Sequence, residues 1–387
     1  MKEVTARRVR SVPPSGIRKF FDVLATMDDV ISLGIGEPDF ATPEHICHAG
    51  ICSLERGETS YTSNAGILEL REELASHLAK LYGVHYDPVG ELLITVGVSE
   101  ALHLALLTVV EPGDEVIVPE PCFVSYKPGI IFAGGTPVVV EAKLENEFQI
   151  TAAEIEQVVT PRTKAILIGY PNNPTGAVMS RERLAEIASV AQKHDLLVLS
   201  DEIYDRLVYG VEHVCFPALP NMKERTILLG GFSKTYAMTG WRLGYAAAPG
   251  EILAGMHKVH QYIVMCAPSP AQVAGVEALR EGEDAVQEMI RQYDQRRRVI
   301  VQGLNSIGMP CFEPQGAFYA FPSIQNTDLN SEQFSEKLLS EQKVAVVPGN
   351  AFGDSGEGFV RCSYATSLVK IEEALARLEE FVNRHNK

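Results

Sequence analysis

The stretch TILLGGFSKTYAMTGWRLG, residues 226–244, places a lysine just beyond a short apolar run that is typical of a buried strand. The run covers 226–229, and Lys234 follows among small and aromatic neighbours. Desolvation there lowers the pKa of an ammonium group toward values at which the free amine acts as a nucleophile or base. The stretch therefore predicts a reactive amine at a strand end, suited to carbonyl chemistry.

Six other short apolar runs share this character and alternate with amphipathic helical patterns, for two of which Ser99 and Ser180 are the candidate N-caps. Such alternation predicts an α/β fold with a mainly parallel, seven-stranded sheet sandwiched by helices. The last two runs lie so close together that they favour an antiparallel pair. The predicted strands are 92–96, 115–119, 137–140, 164–169, 196–200, 226–229 and 243–248.

The pattern changes after about residue 285, where a long charged helix precedes three short strand-like segments and a C-terminal helix. This pattern predicts a smaller α+β domain that is joined to the sheet domain without a flexible linker. We expect a large domain at 46–285 and a small domain formed by both termini, 1–45 and 286–387.

The composition bounds the function. The chain has 387 residues, 46% of them hydrophobic, and a formal net charge of −16, which argues against a nucleic acid or an anionic membrane as the main partner. Its seven cysteines are scattered and predict free thiols rather than a disulfide framework or a metal site. No apolar run approaches the ~18 residues of a membrane span. We therefore expect a cytoplasmic protein.

Polar side chains follow two of the predicted strands. Asp201 and Tyr204 come after 196–200, and Asn173 lies in the turn YPNNPTG at 170–176. An aspartate there is compatible with a helix cap or turn. A carboxylate held against a heteroaromatic nitrogen also keeps that nitrogen protonated, while the amide and phenol can bond a ring oxygen. For Tyr204 the alternative is plain aromatic packing.

The same strand ends also offer a candidate phosphate site. The turn 97–101 between a strand and a helix offers free backbone amides, and Arg242 offers a bidentate cation, although a surface salt bridge explains that arginine equally well. The segment GIGEPD, 34–39, begins like a dinucleotide fingerprint. It lacks the third glycine and carries Pro38 where a helix is needed, so NAD binding is not expected.

Taken in order along the chain, these motifs resemble those of the class I and II aminotransferases, the fold-type-I enzymes that use pyridoxal 5′-phosphate (PLP). The resemblance covers essentially the whole chain. Its motifs are GEPDF at 36–40, Tyr61-Thr62, NPTG at 173–176, DEIY at 201–204, Ser233-Lys234 and FVR at 359–361.

The resemblance implies a role for each matching residue. Lys234 forms the internal Schiff base (aldimine), Asp201 pairs with the pyridine nitrogen, and Asn173 and Tyr204 bond the ring oxygen. Phe123 stacks on the ring, Arg361 grips the substrate carboxylate, and Gly36 lines the pocket through its backbone, while Asn173 also serves the substrate. The phosphate is held by Val98, Ser99, Glu100, Ser233, Arg242 and, across a homodimer interface, Tyr61. Without the family pattern, Phe123 and Tyr61 are explained by core packing.

Arg361 is also a candidate anion-binding residue independently of the resemblance. In an apolar strand, an arginine needs a carboxylate or another anion to offset its desolvation, and an internal Asp or Glu would serve as well as a ligand. The resemblance implies an aminotransferase that moves the amino group of an L-amino acid, aspartate or aromatic, to 2-oxoglutarate. Diaminopimelate-type donors stay open, and a PLP-dependent β-lyase or decarboxylase on the same scaffold is the alternative. A PLP-sensing regulator is disfavoured, since no DNA-binding segment is evident.

Overall fold

At the centre of the molecule lies a seven-stranded sheet, seen in a computed structural model that describes residues 4–14 and 29–386. The strand order is β2-β8-β7-β6-β5-β3-β4, and β8 alone in this sheet runs antiparallel to its neighbours. The mainly parallel sheet and its antiparallel strand confirm the sequence prediction. The strands are β2 (Leu92–Thr95), β3 (Glu115–Glu120), β4 (Thr136–Glu141), β5 (Thr163–Ile168), β6 (Leu197–Asp201), β7 (Thr226–Gly231) and β8 (Gly244–Ala247).

Helices cover both faces of the sheet, as expected for parallel strands that are apolar on both sides. Side chains of three helices share one buried cluster with the strands, and side chains of two others share a second cluster. The first set is α4 (Gly97–Val109), α5 (Tyr126–Ala133) and α9 (Gly250–Ile263); the second is α6 (Ala152–Val158) and α7 (Arg181–Lys193).

The remaining helices include the predicted long charged helix and the C-terminal helix. The long helix begins two residues earlier than expected, and both have a buried apolar stripe. They are α1 (Arg7–Arg10), α2 (Glu44–Glu55), α3 (Leu68–Tyr82), α8 (Phe232–Thr235), α10 (Ser269–Glu281), α11 (Glu283–Ser306), α12 (Ser331–Gln342) and α13 (Leu368–His385).

In the described part of the chain, five short strands lie outside the main sheet. Three of them form a small antiparallel sheet of order β11-β12-β9, and β1 pairs in parallel with β10, which joins an N-terminal segment to the C-terminal part. The division into 46–285 and a two-part small domain stays a prediction, and 1–3, 15–28 and 387 lie outside the described residues. The strands are β1 (Ile31–Ser32), β9 (Tyr319–Ala320), β10 (Val344–Ala345), β11 (Val347–Pro348) and β12 (Val360–Ser363).

Two predicted helix starts had different outcomes. Ser180 caps α7, since its hydroxyl accepts the Arg183 backbone N–H at 3.2 Å. The expectation that Ser99 caps α4 is wrong, because the helix begins at Gly97. The Glu100 carboxylate instead accepts the Val96 N–H at 2.5 Å, so an acidic residue of the first turn does the work of a cap. This start leaves Ser99 within the first turn.

No helix in the two described ranges, 4–14 and 29–386, is long and apolar enough to cross a bilayer.

Replacing Gly244 with alanine tests how closely β8 packs on the start of α4. A Cβ at this position would lie 2.6 Å from the Gly97 carbonyl carbon and 2.7 Å from the Val98 nitrogen, both backbone atoms that cannot rotate away. We expect Gly244→Ala to lower the free energy of unfolding by about 1–3 kcal/mol, seen as a lower Tm. The matched control is Gly250→Ala, where the nearest atom would be 3.7 Å away. Equal Tm values for the two variants would contradict this packing.

Candidate active site

The carboxyl ends of β5, β6 and β7 open into one cavity of about 600 Å³, which β12 and the start of α4 complete. Strand ends are where α/β folds gather polar side chains that arrive from distant parts of a chain. Eleven residues singled out from the sequence line this cavity: Gly36, Val98, Ser99, Phe123, Asn173, Asp201, Tyr204, Ser233, Lys234, Arg242 and Arg361.

Two other predicted residues do not line it. The Glu100 side chain turns to Val96 and His260, and Tyr61 is 78% exposed on the surface of this chain.

Lys234 lies in α8, directly after the end of β7. Its Nζ donates to the Gly36 carbonyl oxygen at 2.6 Å and stands 5.7 Å from the centre of the Phe318 ring. The pKa of Lys234 is lowered to about 8: burial is the main cause, Glu37 opposes it, and the charges of Arg361 and Arg242 add to the lowering. A usable fraction of neutral amine is therefore present near neutral pH.

Asp201 is the last residue of β6 and is buried. Its Oδ2 accepts the Tyr126 hydroxyl at 2.8 Å, and its Oδ1 accepts the Ile203 N–H at 3.2 Å. The pKa of Asp201 is raised to about 6, because burial outweighs the lowering by these two hydrogen bonds. None of the ion pairs among the described residues includes this carboxylate. It is thus suited to a positively charged or N–H-bearing ligand group.

Arg361, on β12, is a buried cation. Its Nη1 donates to Asn173 Oδ1 at 2.9 Å and its Nη2 to the Gly34 carbonyl at 2.7 Å, while Nε has no hydrogen-bond partner among the described residues. The guanidinium lies between two rings, 4.4 Å from the centre of Tyr319 and 4.9 Å from that of Phe352.

The alternative that Arg361 serves an internal ion pair finds no support in this geometry. Within the described residues no Asp or Glu pairs with Arg361, and burial lowers the pKa of its guanidinium. A buried cation with neutral partners alone is costly, and an anionic ligand would offset that cost.

Arg242 and the N-terminus of α4 form the other positive end of the cavity. Arg242 Nη1 donates to the Thr239 carbonyl at 2.9 Å, and its backbone has φ of 56°, a strained value for arginine. Its Nη2 lies so near Gly97 that a Cβ there would come within 2.7 Å. The first-turn amides of a helix carry a partial positive charge, so this end is suited to a phosphate.

Asn173 and Tyr204 line the cavity between these ends. The Asn173 amide is engaged with Arg361, and the Tyr204 hydroxyl lies 2.8 Å from the hydroxyl of Tyr319. Phe123 packs edge-on against Tyr126, with ring centres 5.6 Å apart. Phe123 also lines the cavity.

The cavity residues that were missed from the sequence include Tyr126, Tyr319 and Glu37. Tyr126 bonds Asp201, Tyr319 bonds Tyr204, and Glu37 accepts the Thr239 hydroxyl at 2.7 Å. Glu37 sits inside the quoted GEPDF motif, so its signal was present. The two tyrosines carry no local signal, because a buried tyrosine in an apolar run is usually core packing.

Comparisons with known proteins agree with this geometry. A family profile described as Aminotransferase class I and II matches residues 28–378. An aromatic-amino-acid aminotransferase 2 from Thermococcus litoralis and an aspartate aminotransferase from Pyrococcus abyssi are each 48% identical over 96% of this chain and 97% of their own lengths. The solved structure of an aromatic aminotransferase from Pyrococcus horikoshii has a TM-score of 0.91 and 46% identity, covering 94% of this chain and 99% of that one.

Glu37 gives a pH-dependent test of the Lys234 environment. Its carboxylate stabilises the ammonium form, so Glu37→Gln should lower the pKa of Lys234 below about 8. In the protein without added ligand, labelling of Lys234 by a small amine-directed acylating reagent, followed by peptide mass spectrometry, should then reach half its maximum at a lower pH. Glu145→Gln, on a distant exposed turn, should leave the midpoint in place. An unchanged or higher midpoint in Glu37→Gln would contradict the assigned electrostatics.

Proposed function

The chain belongs to the class I and II aminotransferases, and we propose that it transfers the amino group of an L-amino acid, aspartate or aromatic, to 2-oxoglutarate with PLP anchored on Lys234. The observation that carries the proposal is the pairing of two groups in one cavity. Lys234 has a pKa lowered to about 8, and Arg361 is a buried cation without a described carboxylate partner. An amine of this kind beside an anion site is what amino-acid chemistry requires.

The residues of the cavity fit PLP. Its volume of about 600 Å³ lies within the usual range for a cofactor site. One end offers Arg242 and the free amides of α4 for a phosphate, and the middle offers the unpaired carboxylate of Asp201 for a protonated ring nitrogen. The orphaned Nε of Arg361 is left for a carboxylate at the other end.

Each group then has an assigned contact in the proposal. The backbone amides of Val98, Ser99 and Glu100 would hold the phosphate together with Ser233 and Arg242. Asn173 and Tyr204 would bond the ring oxygen, and Phe123 would pack on the ring. The bound cofactor supplies a carbonyl carbon that links to amines and a ring that accepts electrons when a proton leaves the substrate Cα.

The chain's own side chains supply binding and proton transfer. Arg361 binds the α-carboxylate through its planar fork and so fixes the orientation of the Cα–H bond. With PLP bound, the Lys234 amine would take the Cα proton as general base and would also return it. The Asp201 carboxylate would keep a proton on the ring nitrogen, and Gly36 lines the substrate side of the cavity, where its carbonyl accepts a hydrogen bond from the Lys234 amine.

The proposal also includes a homodimer and a cytoplasmic location. Tyr61 is 78% exposed here, and in the proposed homodimer it reaches the phosphate of the neighbouring active site. A cytoplasmic location is proposed from the scattered cysteines, which are free in the described residues. The proposal includes both aspartate and aromatic amino acids as donors, because the similar proteins include an aspartate and an aromatic-amino-acid aminotransferase.

Lys234→Ala tests the cofactor and its anchor together. We expect the variant to lose the visible absorbance that PLP gives on binding to the wild type, and to lose turnover by at least about 10³-fold, because both the anchor and the general base are gone. Lys258→Ala, on α9, is the control and should behave like the wild type. Normal turnover in Lys234→Ala would overturn the assignment.

A donor panel distinguishes the proposed reaction from the β-lyase or decarboxylase alternative. Aspartate, phenylalanine, tyrosine and a diaminopimelate-type donor are each supplied with 2-oxoglutarate, and each oxo-acid product is quantified. A transaminase forms one oxo acid per glutamate and stops without the acceptor. Release of ammonia with pyruvate, or of carbon dioxide, without an acceptor would favour the alternative.

A further inference from the structure

Tyr319 occupies the junction of the two ends of the cavity. It is 1% exposed, and its hydroxyl lies 2.8 Å from that of Tyr204. The same hydroxyl is so close to Gly36 that a Cβ there would meet it at 2.8 Å. The Tyr319 ring lies beneath the Arg361 guanidinium, 4.4 Å from ring centre to Cζ. One side chain thus contacts the proposed carboxylate grip and the tyrosine proposed for the cofactor ring.

The direction of the hydroxyl–hydroxyl bond follows from the charge beside it. Either oxygen can donate on distance alone. A cation over the face of a phenol stabilises the developing phenolate and makes that phenol the better donor. Arg361 is stacked on Tyr319 and lowers the pKa of its hydroxyl, against the larger effect of burial, which raises it. Burial, Tyr319 and Asp201 raise the pKa of the Tyr204 hydroxyl well above its usual value, although Arg361 lowers it, and the Tyr204 ring meets Phe318 and Tyr319 edge-on.

The consequence concerns the proton of Tyr204. A hydroxyl has one proton to donate and lone pairs to accept. When Tyr319 donates to the Tyr204 oxygen, the Tyr204 proton is free to point into the cavity. If Tyr204 were the donor, its proton would lie in the hydrogen bond to Tyr319 and could not be donated to a ligand.

We propose that Tyr319 is a positioning residue whose hydroxyl orients the Tyr204 proton toward the oxygen of the cofactor ring, while its aromatic ring supports Arg361. The inference rests on the proposed function and adds to it a residue that none of the recognised motifs contains. It also links the two ends of the cavity, since the charge of Arg361 strengthens the Tyr319 donor.

Tyr319→Phe removes the hydroxyl and keeps the ring, so it separates the two roles. A ring oxygen that receives a weaker hydrogen bond holds its proton to a higher pH. The pH midpoint of the visible absorbance change of the PLP-loaded protein should therefore rise by about half to one pH unit. The KM for the amino donor should stay within about twofold. Tyr319→Leu also removes the ring beneath Arg361 and should raise that KM by about threefold or more.

The matched control is Tyr364→Phe. Tyr364 is also buried and its hydroxyl donates to the Ala317 carbonyl at 3.2 Å, but it does not line the cavity. This variant loses one buried hydrogen bond and should keep the wild-type midpoint. A shift equal to that of Tyr319→Phe would mean that the effect is merely structural, and would overturn the proposal.

A double-mutant cycle gives the second test. If Tyr319 acts through Tyr204, then Tyr319→Phe should cause no further shift of the midpoint in a Tyr204→Phe background. Additive shifts, or no shift in Tyr319→Phe alone, would overturn the inference while leaving the proposed function in place. A wild-type protein that gains no visible absorbance with PLP would instead overturn the proposed function.

Discussion

The whole site depends on bringing three cationic side chains to one cavity. Lys234, Arg242 and Arg361 line the same cavity, where Asp201 is buried and Glu37 is exposed. Burial and mutual repulsion lower the pKa of Lys234 to about 8 and leave Arg361 in need of an anion. Such an arrangement is stable and useful only when anionic groups of ligands complete it. The geometry thereby divides the cavity into a phosphate end and a carboxylate end with a reactive amine between them.

The fold meets this electrostatic requirement with ordinary elements. Parallel strands buried on both faces deliver Asn173, Asp201 and Lys234 to one edge of the sheet, and the close contact of β8 with α4 fixes the helix N-terminus beside Arg242. Arg361 arrives from β12, outside that sheet. Neutral hydrogen-bond partners and two aromatic rings hold its guanidinium in place. Because none of the described carboxylates pairs with Arg361, none of them competes with an anionic ligand for this cation.

The sequence predicted those features that depend on neighbouring residues and missed those that depend on contacts between distant parts of the chain. Asp201 and Lys234 follow directly on apolar strand runs, so local patterns predicted where they lie. The helix start at Ser99 was mispredicted, because cap preference is a local tendency that the Glu100 carboxylate overrode. The Tyr204–Tyr319 contact spans 115 residues, and nothing in an apolar run marks one tyrosine as polar in function. Tertiary contacts of that kind become visible only once the chain is folded.

The measurement that tests this account most directly is the KM for an amino donor in Arg361→Lys, with PLP loading checked by absorbance. Lysine keeps the charge and loses the planar fork. The account predicts a KM raised by about 10- to 100-fold, with PLP still bound. Arg297→Lys is the control, since Arg297 is equally buried but pairs with Asp294 and Glu313. An Arg361→Lys enzyme with the wild-type KM would contradict the claim that this buried cation holds the substrate carboxylate.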